Sequence, residues 1–425
     1  MWDKLLQAWK VKEVRNGLLF VLAMMIVFRI TANIPLPGID LVALKRLFDT
    51  NQALGLLNLF SGGTIRSFSV VALGVAPYIT ASIIFQLLGM MFPAIEEIQK
   101  DGEAGQRRIN QWTRMLSIPL AVIQAFGLLQ ILKQSAVPVL TTSSTLHIAM
   151  IVCAMTAGSM FLLWIGELIS EKKVGNGISL LIFAGIIADL PNLLSQTFTV
   201  FDSSQYFTLA VYAVVFLATI AGVVFVSEGQ RNVPVQYARQ SHGMSGSVGG
   251  VASSLPLRVN MTGVIPIIFA VSLLLFPTVI AQFFTQARSA WLAQAANWVL
   301  ITFQNQWVYG TLYFALVVLF TYFYTTIVFQ PERIAENLQK QGGFVPGIRP
   351  GRPTAEYLMS VINRITLGGA LFLGAIAILP IAAQALTGSS TLAIGGTSLL
   401  IVVSVVIESI KQIQSQLTMR EYDVY

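Results

Sequence analysis

Ten apolar runs, each near the length of a bilayer crossing, constrain this chain more than any other feature. They lie at about 17–34, 74–92, 115–132, 147–168, 174–190, 207–227, 259–280, 306–329, 361–383 and 392–410. A crossing takes about 20 apolar residues, because roughly 30 Å of hydrocarbon is covered at 1.5 Å per residue. Lipid offers no hydrogen bonds to backbone groups, so spans of this kind must be helices. Charged residues make up only 11% of the chain and hydrophobic ones 55%, against about 25% charged in soluble domains. The chain therefore reads as an all-α polytopic membrane protein. No run reads as a cleavable leader, since the first is long and Trp2 to Arg15 before it reads as a basic amphipathic helix.

The net charge of +7 could suggest nucleic acid, but in a membrane protein the placement of Lys and Arg comes first. With the N-terminus inside, Lys4, Lys10, Lys12, Arg15, Lys100, Arg107, Arg108, Arg114, Lys172, Lys173, Arg231, Arg239, Arg258, Arg333, Lys340, Arg349, Arg352, Arg364, Lys411 and Arg420 all fall on inner segments. Outer segments hold only Lys45, Arg46, Arg66, Lys133 and Arg288, and Arg29 lies within the first span. This bias predicts cytoplasmic termini and an even number of spans. One cysteine, Cys153, excludes an intrachain disulfide, and two distant histidines give metal chemistry no footing.

Ten spans divide into two groups of five, and an odd number per half places the second half upside down relative to the first. The second span of each half opens alike, with Gly74-Val75-Ala76-Pro77 and Gly263-Val264-Ile265-Pro266. The expected units are an N-terminal helix over 1–16, halves over 17–190 and 207–410, an outer linker over 191–206 and a tail over 411–425. From Leu56 to Met91 the chain is too long and too broken for one span. It breaks at Ser61-Gly62-Gly63 and carries Arg66 before apolar character resumes. Non-crossing backbone at membrane depth is tolerated only where protein buries it or where it lines a watery cavity. Two long inner loops, about 227–257 and 330–354, belong to the second half. In the latter, three prolines and two glycines between Val345 and Pro353 dictate a rigid turn presenting Arg349 and Arg352.

Enzymatic chemistry finds little support. An intramembrane protease needs a nucleophile with its base, a carboxylate pair or a metal site. Within spans, Arg29, Glu167 and Glu408 read as snorkelling or structural ion pairs. An ion-coupled carrier would display carboxylates at mid-depth. Instead, Val75, Ile79, Ser82 and Ile83 share a helical face at i, i+4, i+7 spacing, with Thr80 and Gln86 in the same span. Small polar residues serve helix packing; an aliphatic constriction that excludes water yet deforms around a guest is the other reading. No catalytic residue, cofactor or metal site is expected.

The chain resembles the SecY/Sec61-alpha family over essentially its whole length. The resemblance rests on Ile34-Pro35-Leu36-Pro37-Gly38-Ile39-Asp40, Ser69 to Leu88, Trp164-Ile165-Gly166-Glu167, Gly175-Asn176-Gly177-Ile178-Ser179, Asn260 to Pro266, Phe344 to Gly351 and Gly395 to Ile401. It implies ten transmembrane helices in two inverted five-helix halves, a clamshell around a central hourglass pore. That pore would pass unfolded polypeptides and release apolar segments sideways into lipid.

By motif, the pore ring would comprise Val75, Ile79, Ile182, Ile268 and Ile401. The plug would be about 60–73, including Phe60, Ser61, Gly62, Gly63, Thr64, Ile65, Arg66 and Ser67. The lateral gate would carry Thr80, Ile83 and Gln86 opposite Asn260 and Phe276. Arg231, Arg239, Arg349 and Arg352 would form a cytoplasmic docking surface. The implied partners are SecE-like and SecG-like subunits, the SecA ATPase, the ribosome with its rRNA, signal peptides and nascent chains, and membrane lipid, in a bacterial inner membrane. The tip from Gln240 to Gly250 lacks Lys and Arg and departs from the family's more basic pattern. The rival reading is an inverted-repeat secondary transporter of a small solute.

Overall fold

The computed structural model describes residues 9, 11–40, 42–44, 64–65, 67–133, 144–200, 206–237, 251–285, 289–387 and 395–423. In order come α1 (Lys12–Ala32), α2 (Ala76–Met91), α3 (Pro93–Lys100), α4 (Glu103–Lys133), α5 (Thr145–Glu171), α6 (Gly177–Val200) and α7 (Tyr206–Glu228). Then follow β1 (Gln230–Tyr237), β2 (Val251–Arg258), α8 (Ile265–Phe284), α9 (Ala290–Gln304), α10 (Gln306–Val328), α11 (Pro331–Lys340), β3 (Gly343–Phe344), α12 (Arg352–Thr387) and α13 (Gly395–Asp423). Each of the ten apolar runs is overlain by one helix: α1, α2, α4 to α8, α10, α12 and α13.

The two second-span motifs adopt one geometry. Gly74 and Gly263 have φ of 58° and 62°, a left-handed conformation that costs other L-residues about 1–2 kcal/mol. Val75 and Val264 follow as helix N-caps, and Pro77 and Pro266 stand in the first turns of α2 and α8, where a missing N–H costs nothing. The resemblance between the halves, faint in residue types, is therefore clear in backbone. At its other end α2 breaks, and the chain turns by 112° at Phe92 into α3.

Within the first half α2 packs on α4, α4 on α5, and α5 on α6, with α1 against α5 and α6. In the second half α8 packs on α10, α10 on α12, and α12 and α7 on α13. The halves meet along two seams: α2 and α4 against α8, and α6 against α13. The largest hydrophobic cluster draws residues from both halves. Outward, side chains such as Ile26, Met115, Phe225 and Leu319 are exposed. In a polytopic membrane protein such a surface faces lipid.

Two features extend the sequence reading. Helix α6 continues through Pro191 to Val200, and α13 continues to Asp423, so helix occupies much of the expected linker and tail. The two long loops also pair. β1 lies antiparallel to β2, and Tyr237 and Gln236 pair with Gly343 and Phe344 of β3, giving the order β2-β1-β3. Its inward face, Val233 and Leu257, joins Phe329 of the residue after α10 and Leu358, Val361 and Ile362 of α12. The sheet is an addition to an otherwise helical frame.

Candidate functional site

The five proposed ring residues come from both halves. Val75 caps α2, Ile79 stands one turn on, Ile182 lies in α6, Ile268 in α8 and Ile401 in α13. All are 2–8% exposed and belong to one hydrophobic cluster. Ile83, from the gate set, is buried in that cluster too. Such side chains offer water and ions no hydrogen bond.

The broken segment before α2 runs through a second cluster. Ile65, Phe68, Ala72 and Leu73 pack with Leu36 and Leu44, with Leu128 and Leu132 of α4, and with Ile151 and Met155 of α5. Its irregular backbone is paired despite lacking helical bonds. Leu36 N–H donates to the Phe68 carbonyl at 2.9 Å, and Val70 N–H to that of Ile34 at 3.1 Å. Hydroxyls add to the backbone bonds: Thr64 donates to Ala72 O at 3.3 Å, Ser67 to Ala32 O at 2.9 Å and Ser159 of α5 to Gly74 O at 2.9 Å. Gly158 lets α5 come this close, because a Cβ there would sit 2.1 Å from the Val70 carbonyl oxygen. Thr64, Ile65 and Ser67 of the plug set are thus held firmly, while Phe60, Ser61, Gly62, Gly63 and Arg66 lie outside the described residues.

Along the α2/α8 seam the polar residues look mostly to their own side. Thr80 bonds the Ala76 carbonyl at 3.0 Å and receives Gln124 Nε2 of α4 at 3.4 Å. Gln124 was not singled out from sequence, although a glutamine within an apolar run is a signal of the same kind as Gln86. Gln86 Nε2 donates to Ser82 Oγ at 3.2 Å, and its buried Oε1 has no hydrogen-bond partner among the described residues. Asn260 braces the turn that precedes α8, donating to Gly263 O at 3.3 Å and accepting from Thr262 Oγ1 at 3.2 Å. Phe276 lies in α8, with its side chain outside the described residues.

The sheet-bearing end carries the basic candidates. Arg231 projects from β1 and is exposed. Arg349 is exposed in the turn after β3, where Gly347 and Gly351 have positive φ and Thr354 Oγ1 donates to the Arg349 carbonyl at 2.9 Å. Arg352 pairs with Glu356 at 3.3 Å, and Arg239 lies outside the described residues. Near the same end of their spans, Arg114 of α4 pairs with Glu167 of α5. Among the described residues no His, Cys, Asp and Glu cluster could hold a metal.

Comparison with known proteins identifies this arrangement. The SecY family model matches residues 69–410. The chain belongs to the SecY family. It is 42% identical to the protein translocase subunit SecY of Corynebacterium glutamicum over 99% of this chain and 98% of that protein. The corresponding Streptomyces scabiei protein is 40% identical, with 98% of each covered. At 18% identity, a structure described as a protein conducting channel matches with a TM-score of 0.62, covering 93% of this chain and 91% of that one. Sec61 from a canine ribosome-channel complex matches at 0.59 with the same identity and coverage. The fold is accordingly that of SecY-family channels: ten spanning helices in two inverted halves.

Proposed function

We propose that the chain is the channel subunit of a protein translocase, passing unfolded polypeptides across the membrane and releasing apolar segments sideways into it. One observation carries this reading: Val75, Ile79, Ile182, Ile268 and Ile401, from helices of both halves, are buried in a single hydrophobic cluster that both halves build. Dry when idle, such a constriction excludes ions by dewetting, and branched side chains yield to a peptide without losing polar contacts. The segment at about 60–73 is the plug, non-crossing backbone that protein buries at membrane depth. The α2/α8 seam, along which the two helices pack, is the lateral gate. An apolar helix replaces its contacts by partitioning between gate and lipid.

A solute carrier is disfavoured by what is buried. Among the described residues no carboxylate is buried, and Glu167, near the end of α5, is engaged by Arg114.

The sheet and the Arg349 turn form the docking surface for a ribosome or a SecA-like motor, with rRNA phosphates attracting the arginines. Loop charge supports a cytoplasmic position for this end and both termini, in a bacterial inner membrane. SecE-like and SecG-like subunits are the expected companions. Photocrosslinking residues at positions 79 and 268 test the channel reading. Adducts to a stalled secretory chain are expected at both, and their absence during active transport overturns it.

A further inference from the structure

Helix α9 is apolar and carries no charged residue, yet it is not a crossing. Its 15 residues cover about 22 Å, short of the roughly 30 Å of hydrocarbon. Direction excludes it independently. Phe269, in the second turn of α8, meets the rings of Phe320 and Tyr324, late in α10, at 5.9 and 6.2 Å. The two helices therefore run antiparallel, and α9, which joins them, begins and ends at the same side. Phe329, just past the other end of α10, packs under the sheet. The α9 side is therefore the one opposite the sheet.

α9 packs on α8 and α10 and buries Ala296, while Trp291, Trp298 and Ile301 are each 68% exposed. Their i, i+7, i+10 spacing puts them on one face. Trp307, in the first turn of α10, is 80% exposed. The apolar surface continues onto the exposed Phe284 of α8 and Leu312 of α10, part of the surface a polytopic protein turns to lipid. Gln294 and Asn297 are exposed alongside. Indole rings, apolar in body with one N–H donor, favour the headgroup boundary of a bilayer.

We propose that α9 is an interfacial anchor: it lies along the membrane surface opposite the sheet and seats Trp291, Trp298 and Trp307 at the boundary between lipid headgroups and acyl chains. The occupant of this face is lipid. Without charge on α9, recognition depends on interfacial polarity and not on anionic headgroups. Since α9 is packed against α8, it ties the end of the α2/α8 seam to the bilayer surface. This goes beyond the translocation reading and stands or falls separately from it.

The test uses the full chain with its copurifying subunits in phosphatidylcholine vesicles, with tryptophans replaced by phenylalanine to leave Trp291 alone or Trp298 alone. Both indoles should lose most of their fluorescence to lipid brominated near the headgroup, and little to lipid brominated at the chain terminus or to aqueous iodide. Adding anionic lipid should change neither result. Quenching by iodide would overturn the proposal, as would protection from every quencher, the sign of a covering protein subunit. Depths differing by about 10 Å, the rise over seven residues of an upright helix, would overturn it as well. Should the multiply substituted chains not fold, W291F and W298F in the otherwise native chain must each remove a component quenched by shallow bromolipid. Protein transport by the same variants is scored separately.

Discussion

At Gly158 and Ser159, neighbours on α5, the absence of one side chain and the presence of the next serve the same broken segment. Gly158→Val would force a Cβ into the Val70 carbonyl oxygen, now the equivalent of 2.1 Å away. Overpacking of this kind costs about 1–3 kcal/mol, to be read as a lower unfolding midpoint in a thermal assay. Ser159→Ala leaves the Gly74 carbonyl without its 2.9 Å donor, a loss of about 1–3 kcal/mol for a buried acceptor. An unchanged midpoint for both variants would mean that the segment is not held as described. The ring residues act differently, because their chemistry matters more than their packing. Ile79→Ser with Ile182→Ser should raise resting ion conductance in planar bilayers, since hydroxyls wet a constriction that aliphatic side chains keep dry. Conductance equal to that of the native chain would remove the pair from the seal.

α2 and α8 begin with the same left-handed glycine, capping valine and early proline. Gly263 has open space where a Cβ would go, so Gly263→Ala isolates the backbone cost, about 1–2 kcal/mol, measurable by the same thermal assay. The sheet is an element that sequence patterning did contain: Val233 and Val235 alternate with exposed Asn232 and Pro234, a period of two. Its third strand is only Gly343–Phe344, too short for any periodicity to announce. By fastening the two loops together, the sheet supports the Arg349 turn. Arg349 makes no ion pair among the described residues, so Arg349→Glu should cut motor- or ribosome-driven transport while leaving the thermal midpoint in place. Full transport by that variant would argue against a docking role.

At the scale of the whole molecule, α13 braces the sheet-bearing end across both halves. Lys411 pairs with Glu228 at the end of α7 at 2.8 Å, and Gln416 Nε2 donates to the Lys173 carbonyl, in the turn between α5 and α6, at 2.6 Å. Lys411→Glu should lower the midpoint, and the swap Lys411→Glu with Glu228→Lys should restore much of it. Failure of the swap to recover anything would assign the loss to packing. What the sequence determined by itself is the set of ten crossings, the irregular Leu56–Met91 stretch, the weak Gly-Val-x-Pro repeat and the family, because hydropathy, helix-breaking residues and motif order are local properties. Only the tertiary structure decided that five aliphatic residues spread from 75 to 401 share one core, that Gln124 stands beside Thr80, that Asn260 is spent on its own turn, and that α9 stays on one side. Each of these depends on which helix faces are brought together and in which direction, and no window along the chain contains that information.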